Sequence, residues 1–149
     1  MIFIIEMPYK FLFITNPNES EIPQIRTLYD EAGWWEQDDN GRPDLVRRIV
    51  SGSHCFLTVR DKDDIIGIGR AISDGVNDAY LQDITILPSY RHRGIGLMLV
   101  KTLIDRLHCD GLRWIGLIAS SHSHPFYQKL GFIEMPFSMP MLLKDSSKI

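Results

Sequence analysis

The chain has 149 residues, 44% apolar and 23% charged, and its 16 Lys and Arg against 19 Asp and Glu give a formal charge of −3. That length suits one domain able to withdraw roughly 70% of its unfolded surface from water, and the balance excludes disordered, collagen-like and globally basic, nucleic-acid-seeking classes. The two cysteines, Cys55 and Cys109, lie far apart with no CxxC or Cys/His cluster, so they read as reduced structural thiols rather than a zinc site.

In chain order, "MIFIIEMPYKFLFIT" (1–15) has an apolar run of five residues before Glu6. A membrane span needs about 20, and the basic start and small-residue cleavage site of a signal peptide are missing. The stretch reads as a strand or strand extension, with Met7 open as the true start and residues 1–6 as an upstream addition. Asn16, Pro17 and Asn18 are turn and capping residues, and Ile22, Ile25, Leu28 and Ala32 follow at helical spacing. Pro23 is tolerated only in a first turn, so this helix begins near Ser20 or Glu21 and stops at Gly33. A second short helix runs from Pro43 through Leu45, Val46, Ile49 and Val50 to Gly52.

The period then becomes extended. "HCFLTVR" (54–60), "IIGIGRAIS" (65–73) and "AYLQDITIL" (79–87), joined by the turn signals "DKDD" and "DGVND", predict an antiparallel meander. On its third strand, alternation puts Leu81, Asp83, Thr85 and Leu87 on one face, where the Asp83 carboxylate needs a partner or a function. A long helix follows with Leu97, Val100, Ile104 and Leu107 on one face, ended by Gly111. After it come a strand "RWIGLIA" (113–119), a short helix in "HPFYQKL" closed by Gly131, and extended "FIEM" and "MPMLLK". The order predicts an α/β fold over 1–149: a single domain with a mixed, mostly antiparallel sheet flanked by helices.

"PSYRHRGIGLMLV" (88–100) joins the third strand of the meander to the long helix. The first N–H groups of a helix lack partners within it, and the peptide dipoles leave roughly half a positive charge there. Gly94 and Gly96 would let a phosphate approach the backbone of Arg93, Gly94, Ile95 and Gly96, with Arg91, His92 and Arg93 adding charge. No Gly-Lys-Ser/Thr follows, and only two glycines stand as GxG, so neither the triphosphate loop nor the dinucleotide motif fits. The competing reading is a tight strand-to-helix turn with no ligand.

Arg91-His92-Arg93-Gly94-Ile95-Gly96 resembles the Gln/Arg-x-x-Gly-x-Gly/Ala signature of the GCN5-related N-acetyltransferase (GNAT) family, and "FYQKLGF" (126–132) resembles its second characteristic segment. The element order from about residue 12 to about 135 is also that family's. The resemblance implies that the backbone of Arg91, Arg93, Gly94, Ile95, Gly96 and Leu97 holds the pyrophosphate of acetyl-coenzyme A, without a metal. It implies that the backbone of Ile84 and Ile86 pairs with the pantetheine arm. Ser120 stands where many relatives carry an asparagine that contacts the arm, so that contact is in doubt.

By the same resemblance Tyr127 protonates the departing thiolate, the alternative being an aromatic anchor, and Asp83 is the base, acting through water, or else a structural or substrate contact. The acceptor, a primary amine on a small molecule or protein, is expected against the stretch "GWWEQDDNGRP" (33–43). Trp34 and Trp35 would wall the site and Glu36, Asp38 and Asp39 would attract the amine, unless one tryptophan is core and the acids a solvated turn. His122 and His124 read as surface or substrate-lining groups, His124 also as a proton relay, rather than as metal ligands. A catalytically silent acyl-coenzyme A sensor of the same fold is the rival reading, and nucleic acid a disfavoured partner. The expected enzyme is cytoplasmic and off the membrane, with homodimer formation left open.

Overall fold

The computed structural model describes residues 8–35 and 42–145. The alternative start, the extension at 1–6 and the acids Glu36, Asp38 and Asp39 lie outside the described residues. The chain divides into two compact units, Met1–Leu117 and Ile118–Ile149.

The first unit is a five-stranded sheet in the order β1 (Lys10–Ile14), β2 (Cys55–Asp61), β3 (Asp64–Ile72), β4 (Asp78–Ile86) and β5 (Trp114–Gly116). Neighbours are antiparallel except β4 and β5, which run parallel. The mixed sheet with flanking helices is the fold expected from the order of elements. Alternate residues of a strand face opposite sides, and β3 shows both layers. Ile68 packs with Ile25, Leu28 and Tyr29 of α1 (Glu21–Glu31), Val46 and Val50 of α2 (Leu45–Gly52), and Phe56. At the next residue, a Cβ built on Gly69 would stand 2.6 Å from Leu99 Cδ2 and 3.0 Å from Leu103 Cδ1 of α3 (Ile95–Cys109). The α3 face is centred on buried Leu99, Val100, Leu103 and Leu107, so Val100 and Leu107 of the expected stripe hold, whereas Leu97 and Ile104 are half-buried at its border.

Capping fixes where the helices start and stop. Asn18 Oδ1 accepts the Ser20 and Glu21 amides at 2.9 and 3.0 Å, and Glu21 Oε2 accepts the Asn18 amide at 2.8 Å. This reciprocal box starts α1. Its end is a Schellman closure: Gly33 has φ +71°, Gly33 N donates to Asp30 O and Trp34 N to Tyr29 O. The same pattern closes α3 through Leu112 N to Leu107 O.

In the second unit, α4 (His124–Gln128) closes alike, with Phe132 N donating to Tyr127 O. The strand expected at 113–119 is confined to Trp114–Gly116, and the expected extended segments "FIEM" and "MPMLLK" join no ladder among the described residues.

Candidate active site

The start of α3 is open to an anion. Gly94, its N-cap, is left-handed at φ +78°, and no side chain caps the amides that follow. A first turn has no acceptors of its own, so the Ile95, Gly96 and Leu97 N–H groups point out of the helix end. The arginines stand nearby but are tethered. Arg91 Nε donates to Ile86 O at 2.9 Å. Arg93 turns back to Ser89 O at 2.9 Å and lies over the Tyr90 ring, 5.2 Å from its centroid. Their side chains brace the 3-10 turn Pro88–Tyr90 and do not cap the first turn of α3.

Strand β4 pairs with β5 only over Asp78–Tyr80, so from Leu81 onward its outer edge carries no ladder among the described residues. Leu87 N donates to Ile66 O at 2.8 Å, which makes that pair a hydrogen-bonded one. Antiparallel pairs alternate, so the polar backbone groups of Ile86, paired with Gly67, point away from β3 toward the open edge. The Arg91 contact to Ile86 O is consistent with this. That edge offers main-chain groups of the kind a pantetheine arm requires.

The alternation expected for β4 fails at Asp83. The register shifts between Ile68 and Arg70, so Asp83 and Ile84 together oppose Gly69, and Asp83 has φ +54°. This is a β-bulge, which reverses the facing of everything beyond it. Leu81, paired with Ala71, shares the α3 face with Ile84, whereas Asp83 points to α1. Its Oδ2 accepts Tyr29 Oη–H at 2.8 Å and Arg70 Nε–H at 2.5 Å.

Tyr29 is a partner of Asp83 that sequence reasoning missed. It is 1% exposed, and both tryptophans converge on it. Trp35 stacks on it at 4.2 Å and 15°, and packs on the core. Trp34 meets it edge-on at 5.8 Å while remaining 44% exposed. In a Schellman closure the residue after the glycine touches the third-last helical residue, so "YDEAGW" already carried the Tyr29–Trp34 contact. Of the two expected wall residues, only Trp34 presents a largely free face.

Within the second unit, Tyr127 packs edge-on against Phe126 and Phe132, at 4.9 and 5.9 Å. Burial pushes its phenol above the ordinary tyrosine range. Ser120 is exposed and its carbonyl accepts Ser123 N–H at 3.0 Å. His122 and His124 are exposed, and no group of three or more His, Cys, Asp or Glu suited to a metal occurs among the described residues. Cys55 and Cys109 are free, and burial pushes the Cys55 thiol up to about 11. No helix among the described residues is long and apolar enough to cross a membrane.

The model of the acetyltransferase (GNAT) family matches residues 16–132. The chain is 26% identical over 136 residues to an uncharacterized N-acetyltransferase, ycf52, of Pyropia yezoensis, covering 88% of this chain and 75% of that one. It is 38% identical over 143 residues to GCN5-related N-acetyltransferase 2, chloroplastic, of Arabidopsis thaliana, covering 81% of this chain but only 53% of that protein. Among solved structures, a GNAT-family acetyltransferase of Streptococcus pneumoniae superposes with a TM-score of 0.76 at 20% identity, covering 93% of this chain and 98% of that one.

Proposed function

The chain belongs to the GNAT family of acetyltransferases, and from that premise we propose that it transfers the acetyl group of acetyl-coenzyme A to a primary amine by direct attack in a ternary complex. The observation that carries this reading is the uncapped, left-handed start of α3 beside a β4 edge that, from Leu81 onward, carries no ladder among the described residues. The backbone amides of Arg93, Gly94, Ile95, Gly96 and Leu97 would receive the pyrophosphate, whereas the expected Arg91 amide already donates to Pro88 O at 3.3 Å; Ile84 and Ile86 would receive the pantetheine arm, with Ser120 a further contact. No metal is required by this arrangement.

An alkyl ammonium, with a pKa near 10.4, must lose a proton before it attacks. Asp83 takes that proton, directly or through water. The nitrogen lone pair then forms the N–C bond to the thioester carbonyl, the C–S bond breaks, the departing sulfur receives the Tyr127 proton, and the second proton of the acylated nitrogen leaves to solvent, from which Tyr127 is reprotonated. Burial keeps that phenol protonated at neutral pH, which supports its role as acid. Trp34, the more exposed of the two tryptophans, faces the acceptor and Trp35 backs it through Tyr29. The acceptor is an amine of a small molecule or protein, and the compartment a reducing one such as the cytoplasm.

The test is a panel of lysine, polyamine and peptide amino-terminal acceptors with acetyl-coenzyme A, read by thiol release. Turnover of at least one amine is expected, and Gly96→Val should lose most of the cofactor affinity. Unchanged cofactor titration by a folded Gly96→Val variant would overturn the placement.

A further inference from the structure

Among the described residues, Asp83 is held on one oxygen only. Tyr29 and Arg70, 54 and 13 residues away in sequence, both donate to Oδ2, and Oδ1 receives neither. An arginine facing a carboxylate often forms a two-pronged fork that occupies both oxygens. Here Arg70 offers Nε to Asp83 Oδ2 and Nη1 to Ser53 Oγ at 3.4 Å, and among the described residues no second Arg70 bond completes a fork on Oδ1. Both donors are braced in turn. The Tyr29 ring is stacked on Trp35, and the Arg70 and Asp83 side chains are 15% and 21% exposed. Burial, and after it the Asp83 charge, pushes the Tyr29 phenol far above the ordinary range, so it remains a donor at every working pH.

We infer that Tyr29 and Arg70 are positioning residues, pinning the Asp83 carboxylate through Oδ2 and presenting Oδ1 as the oxygen that takes the acceptor's proton. This rests on the reading of Asp83 as the base. The bulge is part of the device, because regular alternation would have turned Asp83 toward α3 and away from both donors. A carboxylate fixed from three elements loses little freedom at the moment of reaction, and misplacement of such a group by about 1 Å costs on the order of 100-fold in rate.

The experiment is a double-mutant cycle on single-turnover acetyl transfer, using the amine that the panel turns over fastest, with acetyl-coenzyme A affinity measured in parallel. Tyr29→Phe keeps the stack on Trp35 and removes only the hydroxyl. It should slow transfer roughly tenfold or more while cofactor affinity holds, and it should add nothing once Asp83→Asn is present. Arg70→Met should behave alike and serves if Tyr29→Phe does not fold. A separate reading needs no turnover: in protein labelled at tyrosine ¹³Cζ, the Tyr29 resonance should move on Asp83→Asn. Additive losses in the cycle, full speed in Tyr29→Phe, or an unmoved Tyr29 resonance would overturn the inference while Asp83 remained the base. Full speed in Asp83→Asn itself would instead remove the base, and with it this inference.

Discussion

At Gly94 the requirement is conformational rather than spatial. A Cβ there meets nothing within 4 Å, yet the residue sits at φ +78°. Gly94→Ala should therefore cost about 1–2 kcal/mol, the expense of left-handed backbone for an L-residue, measured by urea unfolding, and should weaken acetyl-coenzyme A binding by disturbing the first turn of α3. Tyr127 poses the opposite case, since its ring packs on Phe126 and Phe132 while the proposed chemistry falls to its hydroxyl. Tyr127→Phe keeps the contacts with Phe126 and Phe132, so stability should hold. Loss of the proton should slow transfer roughly 100-fold, the scale of a general acid, and wild-type speed in a single turnover would refute the role. A steady-state loss much smaller than that would instead mean that product release limits turnover.

Between elements, the close approach of α3 to β3 depends on Gly69. An added methyl would stand 2.6 Å from Leu99 Cδ2, inside a fully buried layer, so Gly69→Ala should destabilise by about 1–3 kcal/mol through overpacking, read as a lower urea midpoint. A second junction joins α1 to β2, where Arg60 donates to Glu21 at 2.6 Å. Burial alone would raise the Glu21 carboxyl, but the Asn18 amide and Arg60 outweigh it and hold it below its ordinary 4.5. A lowered folded value stabilises the fold above 4.5 and loses that contribution as pH falls through it. Glu21→Gln should flatten the fall in unfolding free energy between pH 5 and pH 3, and an unchanged slope would show the pair idle. Helix limits were legible in sequence because Asn18, Gly33, Gly111 and Gly131 are local signals. The bulge was not, because it is a mismatch with β3 across the ladder that residues 79–87 alone do not encode. For the same reason Asp83 could be picked out as a carboxylate in need of partners, while Tyr29, 54 residues earlier, could not be named as one of them.

Across the molecule, strand pairing separates what sequence patterns predict well from what they predict poorly. The meander β2–β3–β4 is closed by short turns and came out in the expected order. Among the described residues, 132–145 find no such turn-linked partner, and Ile133, Phe137, Met139, Met141, Leu142 and Leu143 stand exposed outside any ladder. An apolar run specifies a strand only where another strand receives it. The glycine turn was legible as a conformation because backbone freedom and helix polarity are both local. It also belongs to the fold's centre, since α3 carries Leu99, Val100, Leu103 and Leu107, each fully buried. A ligand held at the first turn of α3 is thus held by an element that does not come free without the core. Acetyl-coenzyme A at 100 times its Kd should raise unfolding free energy by about 2.7 kcal/mol, which for a chain of this size lifts Tm by roughly 5–10 °C. Gly96→Val should abolish most of that rise while Tyr127→Phe keeps it, because only the first disturbs the anion site. Equal shifts in a folded Gly96→Val protein would place the cofactor elsewhere.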